Sequence, residues 1–177
     1  MSNSQFNRAK AIEAIVYLAQ RITDPTYHSI AKLLYFADKT HLEKYGRLIC
    51  GDTYYAMQYG PVPSNIYSLL RDASPDELDD IFIIQNGREV VAQRDANLDE
   101  MSESDVLCLD QAIAMYGDKP MWYRTQHSHD DAWARAWTAR GERKSVLMPL
   151  ESIAAQFEEA DELIAHLNDP HPGSASE

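Results

Sequence analysis

The sequence predicts a mainly α, α+β fold: a single helical domain carrying a small β-hairpin around residues 81–92. Three observations point there. The 177 residues suit one domain with room for a real core. Apolar residues recur at helical spacing in most segments. One pair, Asn86-Gly87, sits between two runs rich in β-branched residues, and both of its members accept the positive φ of a tight hairpin turn.

The first helix is expected over residues 5–21, with Ile12, Ile15, Val16, Ala19 and Ile22 on one face. Asp24-Pro25-Thr26 breaks it and starts the next helix, 27–45. There Ile30, Leu33, Leu34, Ala37 and His41 form a stripe that Tyr35 and Phe36 widen, which predicts a central helix. Gly46 ends it. Residues 50–59 give a weak extended signal. Gly60-Pro61-Val62-Pro63 reads as a stiff corner leading into a helix over 63–71, because each proline fixes its own φ and moves its predecessor out of the helical region. The hairpin follows over 81–93. Ser102 and Asp105 resemble a capping box with Asp in place of Glu, and Met101 and Val106 stand at hydrophobic-staple positions. The helix they open buries Val106, Leu109, Ala112, Ile113 and Tyr116, and Gly117 closes it. Short helices are expected over 120–126 and 130–138. One continuous helix is expected over 150–167, with Leu150, Ile153, Ala154, Phe157, Ala160, Ile164 and Leu167 inward. The domain is expected to span 1–167, with 168–177 a disordered tail.

Net charge is -12, unevenly spread. Residues 1–71 carry eight basic and five acidic side chains, and 72–110 carry two and twelve. Residues 111–150 carry six and four, and 151–177 carry none and seven. This balance argues against nucleic-acid binding, which needs Lys and Arg to displace counterions. It favours encounter with a basic partner, and equally serves plain solubility. Apolar runs such as Ile81 to Ile84 are too short to span a bilayer. The first ten residues carry no apolar signal-peptide core, and two cysteines cannot build a disulfide framework. A cytoplasmic setting is the expectation.

Catalytic signatures are sparse. His127-Ser128-His129-Asp130-Asp131 has metal-like composition but no established ligand spacing, and reads more simply as a helix start. His41 falls on an apolar stripe, where a hydrogen-bonded core histidine is the simpler reading. Cys108 lies within a helix and Cys50 near a turn without a basic cluster, so neither has the setting of an activated thiolate. No catalytic residue, cofactor or metal is assigned. Tyr35, Tyr45, Tyr54, Tyr55, Tyr59 and Tyr67 lie close together in sequence. They can fill a core or anchor a partner.

The run from Lys32-Leu33-Leu34-Tyr35-Phe36-Ala37-Asp38 to Tyr59-Gly60-Pro61-Val62-Pro63, together with Tyr116-Gly117-Asp118-Lys119 and Ser128-His129 with Trp133, resembles the Panacea domain. That domain occurs in SocA-like antitoxins and phage-associated GepA-like proteins. The resemblance covers roughly residues 27–155. It implies a mostly helical domain without known catalytic activity, which neutralises a protein toxin by direct contact. The motif positions it singles out are Tyr35, His41, Tyr54, Tyr55, Tyr59, Gly60, Pro61, Val62, His129 and Trp133.

The expected function is therefore that of an antitoxin. Its acidic surface would steer a basic toxin, and residues beside the Gly60-Pro61 corner would dock it. One alternative is an adaptor that delivers the toxin to a ClpXP-like protease. Another is a metal-dependent enzyme using His127 and His129. A homo-oligomer is compatible with the sequence; membrane and nucleic-acid partners are not expected.

Overall fold

The computed structural model describes residues 5–72 and 75–169. The expected tail beyond 169 lies outside the described residues. The elements are α1 (Arg8–Ala19), α2 (Tyr27–Tyr45), β1 (Tyr54–Met57), β2 (Gly60–Pro63), α3 (Ser64–Asp72), α4 (Pro75–Leu78), β3 (Phe82–Gln85) and β4 (Glu89–Ala92). A 3-10 turn (Leu98–Glu100), α5 (Glu103–Tyr116), α6 (Met121–Ser128), α7 (Asp131–Thr138), β5 (Val146–Leu147), α8 (Leu150–Ala154) and α9 (Ala160–Asn168) follow. The fold is mainly α with small antiparallel sheets, as expected from the sequence.

Helix α2 is the axis. Ten consecutive residues, Ser29 to Asp38, are buried, so the helix is covered on every side. A helix apolar on one stripe alone could not tolerate this; Tyr35, Phe36 and Ala37 extend the apolar surface around it. It packs against α1, α3, α5, α6, α8 and β2. Thr26 caps its first turn by accepting from Ser29 N, and Gly46 ends it in the left-handed conformation at φ 70°.

The hairpin β3–β4 turns at Asn86 and Gly87, with φ of 51° and 70°. Both are positive, as the Asn-Gly pair predicts. The capping box at α5 is present: Ser102 Oγ accepts from Asp105 N, and Asp105 accepts from Ser102 N.

Two expectations require correction. Gly60-Pro61-Val62-Pro63 is not a corner but a strand, paired with β1 in a second hairpin whose turn is Gln58-Tyr59. The sheet order is β2-β1-β5, so β2 lies at an edge, where prolines are tolerated because their missing N–H groups cost no ladder bond. Only Asn86 among the described non-glycine residues has positive φ, so this second turn carries no Asn-Gly signal. The helix over 150–167 is two helices, interrupted between Ala154 and Ala160. A continuous helix would stack Glu158, Asp161 and Glu162 at like-charge spacings. The break places Asp161 and Glu162 in the first turn of α9, where the helix dipole favours acid.

Candidate functional site

The two sequence blocks that define the motif meet in space at Lys32. This side chain is 1% exposed, and its Nζ donates 2.9 Å to the carbonyl of Pro61. That carbonyl is free because β2 is an edge strand with no neighbour beyond it. Gly60, at φ 109°, lies between Lys32 and Ser128. A Cβ there would overlap Ser128 Oγ and come within 2.9 Å of Lys32 Cε. Glycine is thus required twice, for its backbone conformation and for the close approach of α2 and α6.

The second block, which starts at Tyr116, reaches its Ser-His…Trp element where α6 ends. His129 stacks on Trp133 with ring centroids 3.7 Å apart and planes 4° from parallel. Trp133 stacks in turn on Trp137 at 5.9 Å and donates from Nε1 to Met57 O at 2.9 Å. Asp130 ties α7 to α2: it caps Trp133 N at 3.0 Å and accepts from Tyr35 Oη and Lys39 Nζ, each at 2.8 Å.

These positions divide into framework and surface. Tyr35, His41 and Tyr54 are buried and cannot touch a partner. Tyr54 Oη donates to Asp38 at 2.7 Å, and the same carboxylate accepts from Ile49 N at 2.7 Å. Burial pushes Asp38 up to about 6 even though both bonds favour its charge. His41 bonds Arg47 O at 2.9 Å and Ser104 Oγ at 3.0 Å, a core histidine with both ring nitrogens occupied. Gly60 and Pro61 are buried, and Tyr55, Val62, His129 and Trp133 are half-buried. Tyr59, at the hairpin tip, is 60% exposed. Only Tyr59 of this set stands fully open to a partner.

His127 and His129 do not converge: His127 stacks on Tyr123 while His129 stacks on Trp133. Among the described residues no group of three or more His, Cys, Asp or Glu could hold a metal ion. Cys50 and Cys108 are free and buried, and burial pushes both thiols up, away from thiolate character.

Sequence reasoning missed two buried cations with contrasting environments. Arg124 has no exposure, and all five N–H groups find acceptors: Asp24 twice, Ser29 Oγ, Tyr116 O and Gly117 O. It is a structural clamp. Lys32 uses one acceptor, and among the described residues no carboxylate lies within 4 Å of it. Burial pushes its amine down to about 7. The signal was present: Lys32 is the lone cation in the apolar run Ile30 to Ala37.

Lys32 lies at the base of an open cleft of about 890 Å³. Tyr27, His28, Tyr59, Tyr67 and Trp137 supply most of its ring surface, and Arg140, Arg143 and Lys144 its further charge. No Asp or Glu lines it. Beside Gly60 the fold does gather aromatic and aliphatic side chains, Tyr27, Tyr59, Val62, Tyr67 and Trp137, but no acidic ones. The acid lies elsewhere, and this face is cationic.

Further exposed apolar side chains lie where α5 ends and α6 begins. Met115, Met121 and Trp122 are 60, 56 and 63% exposed. Trp122 adjoins Tyr123 edge-on at 5.7 Å; Tyr123 stacks on His127 at 3.9 Å, and Tyr116 stacks on Phe36 at 3.9 Å. Rings thus run from the core edge at Phe36 out to the surface.

No curated protein and no solved structure matches the chain. The family described as antitoxin SocA-like, Panacea domain, matches residues 30–134. That range begins inside α2 and ends inside α7, so it contains Lys32, Gly60 and Ser128, which meet at Gly60, and His129 and Trp133. With more than half of its length matched and both motif blocks joined at Lys32, the chain belongs to the SocA-like, Panacea-domain antitoxin family.

Proposed function

We propose that this chain is the antitoxin of a toxin–antitoxin pair and neutralises its cognate protein toxin by direct contact in the cytoplasm. The family match over residues 30–134 carries this reading. The role is binding rather than catalysis. No helix among the described residues is long and apolar enough to cross a membrane.

The surface that suits a protein partner best is the one carrying Trp122 and Met121 at the start of α6, with Met115 near the end of α5. Large exposed apolar side chains are candidate interaction anchors, and tryptophan is enriched among residues that dominate binding energy. The net charge of -12 steers a basic toxin towards the molecule. Tyr59 at the β1–β2 hairpin tip is a second anchor of smaller area.

Co-expression with the product of the adjacent gene tests the reading. The neighbour should arrest growth alone, be rescued by this chain and co-purify with it. A harmless neighbour that does not co-purify would overturn it. Trp122→Ala should weaken the complex by about 30-fold, the ~2 kcal/mol of an interface hot spot. Its far-ultraviolet circular dichroism should be unchanged, because the side chain is mostly in solvent.

A further inference from the structure

Acid outnumbers base in this chain by 28 residues to 16, yet four cations gather on one cleft from which acid is absent. Lys32, Arg140, Arg143 and Lys144 have no carboxylate within 4 Å among the described residues. The two arginines are held by carbonyls instead. Arg140 donates to Trp137 O at 2.8 Å; Arg143 donates to Arg140 O at 2.8 Å and to Ala139 O at 3.2 Å. Carbonyls position a guanidinium without cancelling its charge.

Flat surfaces accompany the charge. The Arg140 guanidinium lies 3.8 Å from the Trp137 ring centre. Tyr27 and Tyr67 meet edge-on at 6.4 Å, and Tyr59 stands open beside them. At about 890 Å³ the cleft is within the range of small-molecule sites. Unlike Arg124, Lys32 has N–H groups to spare, and a buried amine with one acceptor is costly unless a ligand completes it. His28, which also lines the cleft, has a buried Nδ1 without a partner.

We propose that this cleft binds a nucleoside phosphate, with the phosphate held by Lys32 and the Arg140–Arg143–Lys144 rim and the base against the tyrosine and tryptophan rings. Aromatic faces accept any base by stacking, and the cations supply the anion site. The rim cations lie beyond residue 134, outside the family match, so this chain's own C-terminal part supplies the charged rim while Lys32 and Tyr59 come from the matched part. The inference stands on the cleft, independent of the antitoxin reading.

Binding should also take up a proton near neutral pH. The groups around the Lys32 amine are His28 on α2, Pro61 O and Gly60 on β2, and Ser128 and His129 at the end of α6; the rim cations line the same cleft. Burial holds His28 down to about 4 and lowers His129, so both are neutral here. An anion beside Lys32 favours its charged form.

The test is calorimetric titration of the purified full chain with ATP, AMP, adenosine and inorganic tripolyphosphate, in buffers of different ionisation enthalpy. At least one nucleotide should bind below about 100 µM, with adenosine and tripolyphosphate at least about tenfold weaker. Arg140→Ala, a rim change that leaves the core intact, should weaken the nucleotide at least about tenfold. Lys32→Met should abolish the buffer-dependent heat. Absence of saturable heat with either nucleotide at about 1 mM would overturn the proposal. So would tripolyphosphate binding as tightly as ATP, or an acidic peptide binding where nucleotides do not. Each outcome is read without any toxin, so failure leaves the antitoxin reading standing.

Discussion

Gly60 and Lys32 illustrate how single residues set this fold. Alanine at position 60 must adopt φ near 109° and push back Ser128 and Lys32. Gly60→Ala should cost about 2 kcal/mol or more in urea unfolding, the sum of backbone strain and overpacking. Lys32 makes stability depend on pH in a defined window. Its folded pKa, about 7, is below the ordinary 10.5. Between those values the unfolded chain holds the proton and the native chain does not, so stability rises with pH from about 7 towards 10. Thermal melts across that range should climb for the native protein and flatten for Lys32→Met. Legibility at this scale was partial. His41 was readable as a core residue because it lies on an apolar stripe. Tyr35 and Tyr54 were not separable from Tyr59, since a tyrosine's burial depends on neighbours distant in sequence.

At the scale of elements, local chemistry was most readable where a few adjacent residues close their own hydrogen bonds. The Asn86-Gly87 turn and the Ser102/Asp105 capping box are of this kind. Asp105 shows where locality ends. Besides capping α5, it bonds Lys10 Nζ at 2.7 Å and faces His41 Nε2 at 3.2 Å and Arg47 at 3.1 Å. Burial opposes its charge, but His41, Lys10 and the Ser102 N–H together hold the carboxyl well below the usual carboxylate range. Ser102→Ala should therefore cost about 1 kcal/mol, a lost cap. Asp105→Ala should cost about 3–5 kcal/mol, because Lys10, His41, Arg47 and the Ser102 N–H lose a buried partner. Denaturant titration distinguishes the two. Since the folded pKa of Asp105 is depressed, its contribution is full above about pH 4 and lost as pH falls further. Asp105→Ala should blunt acid unfolding accordingly. The β1–β2 hairpin was missed because two prolines in four residues read as a breaker. Only the pairing with β1 shows that their absent N–H groups face an open edge.

For the whole molecule, charge is distributed rather than uniform. The net -12 predicts an association rate with a basic partner that falls steeply between about 50 and 300 mM salt in stopped-flow measurements, with dissociation little changed. The same total hides a cationic cleft. The sequence count over 111–150 comes out slightly positive, yet the four cations of the cleft come from two distant stretches, residue 32 and residues 140–144. No one-dimensional window could join them.

What the sequence determined by itself was the mainly helical class, the central position of α2, the Asn-Gly hairpin, the α5 cap and the antitoxin family, because each is encoded in the order of nearby residues. Tertiary structure alone decided which tyrosines are framework and which are surface, why position 60 must be glycine, and that a lone lysine in an apolar run meets three rim cations at one cleft. The physical reason is desolvation. Burial and unpaired charge are properties of what surrounds a group, and at Lys32 those surroundings come from α2, β2, the end of α6 and the segment after α7.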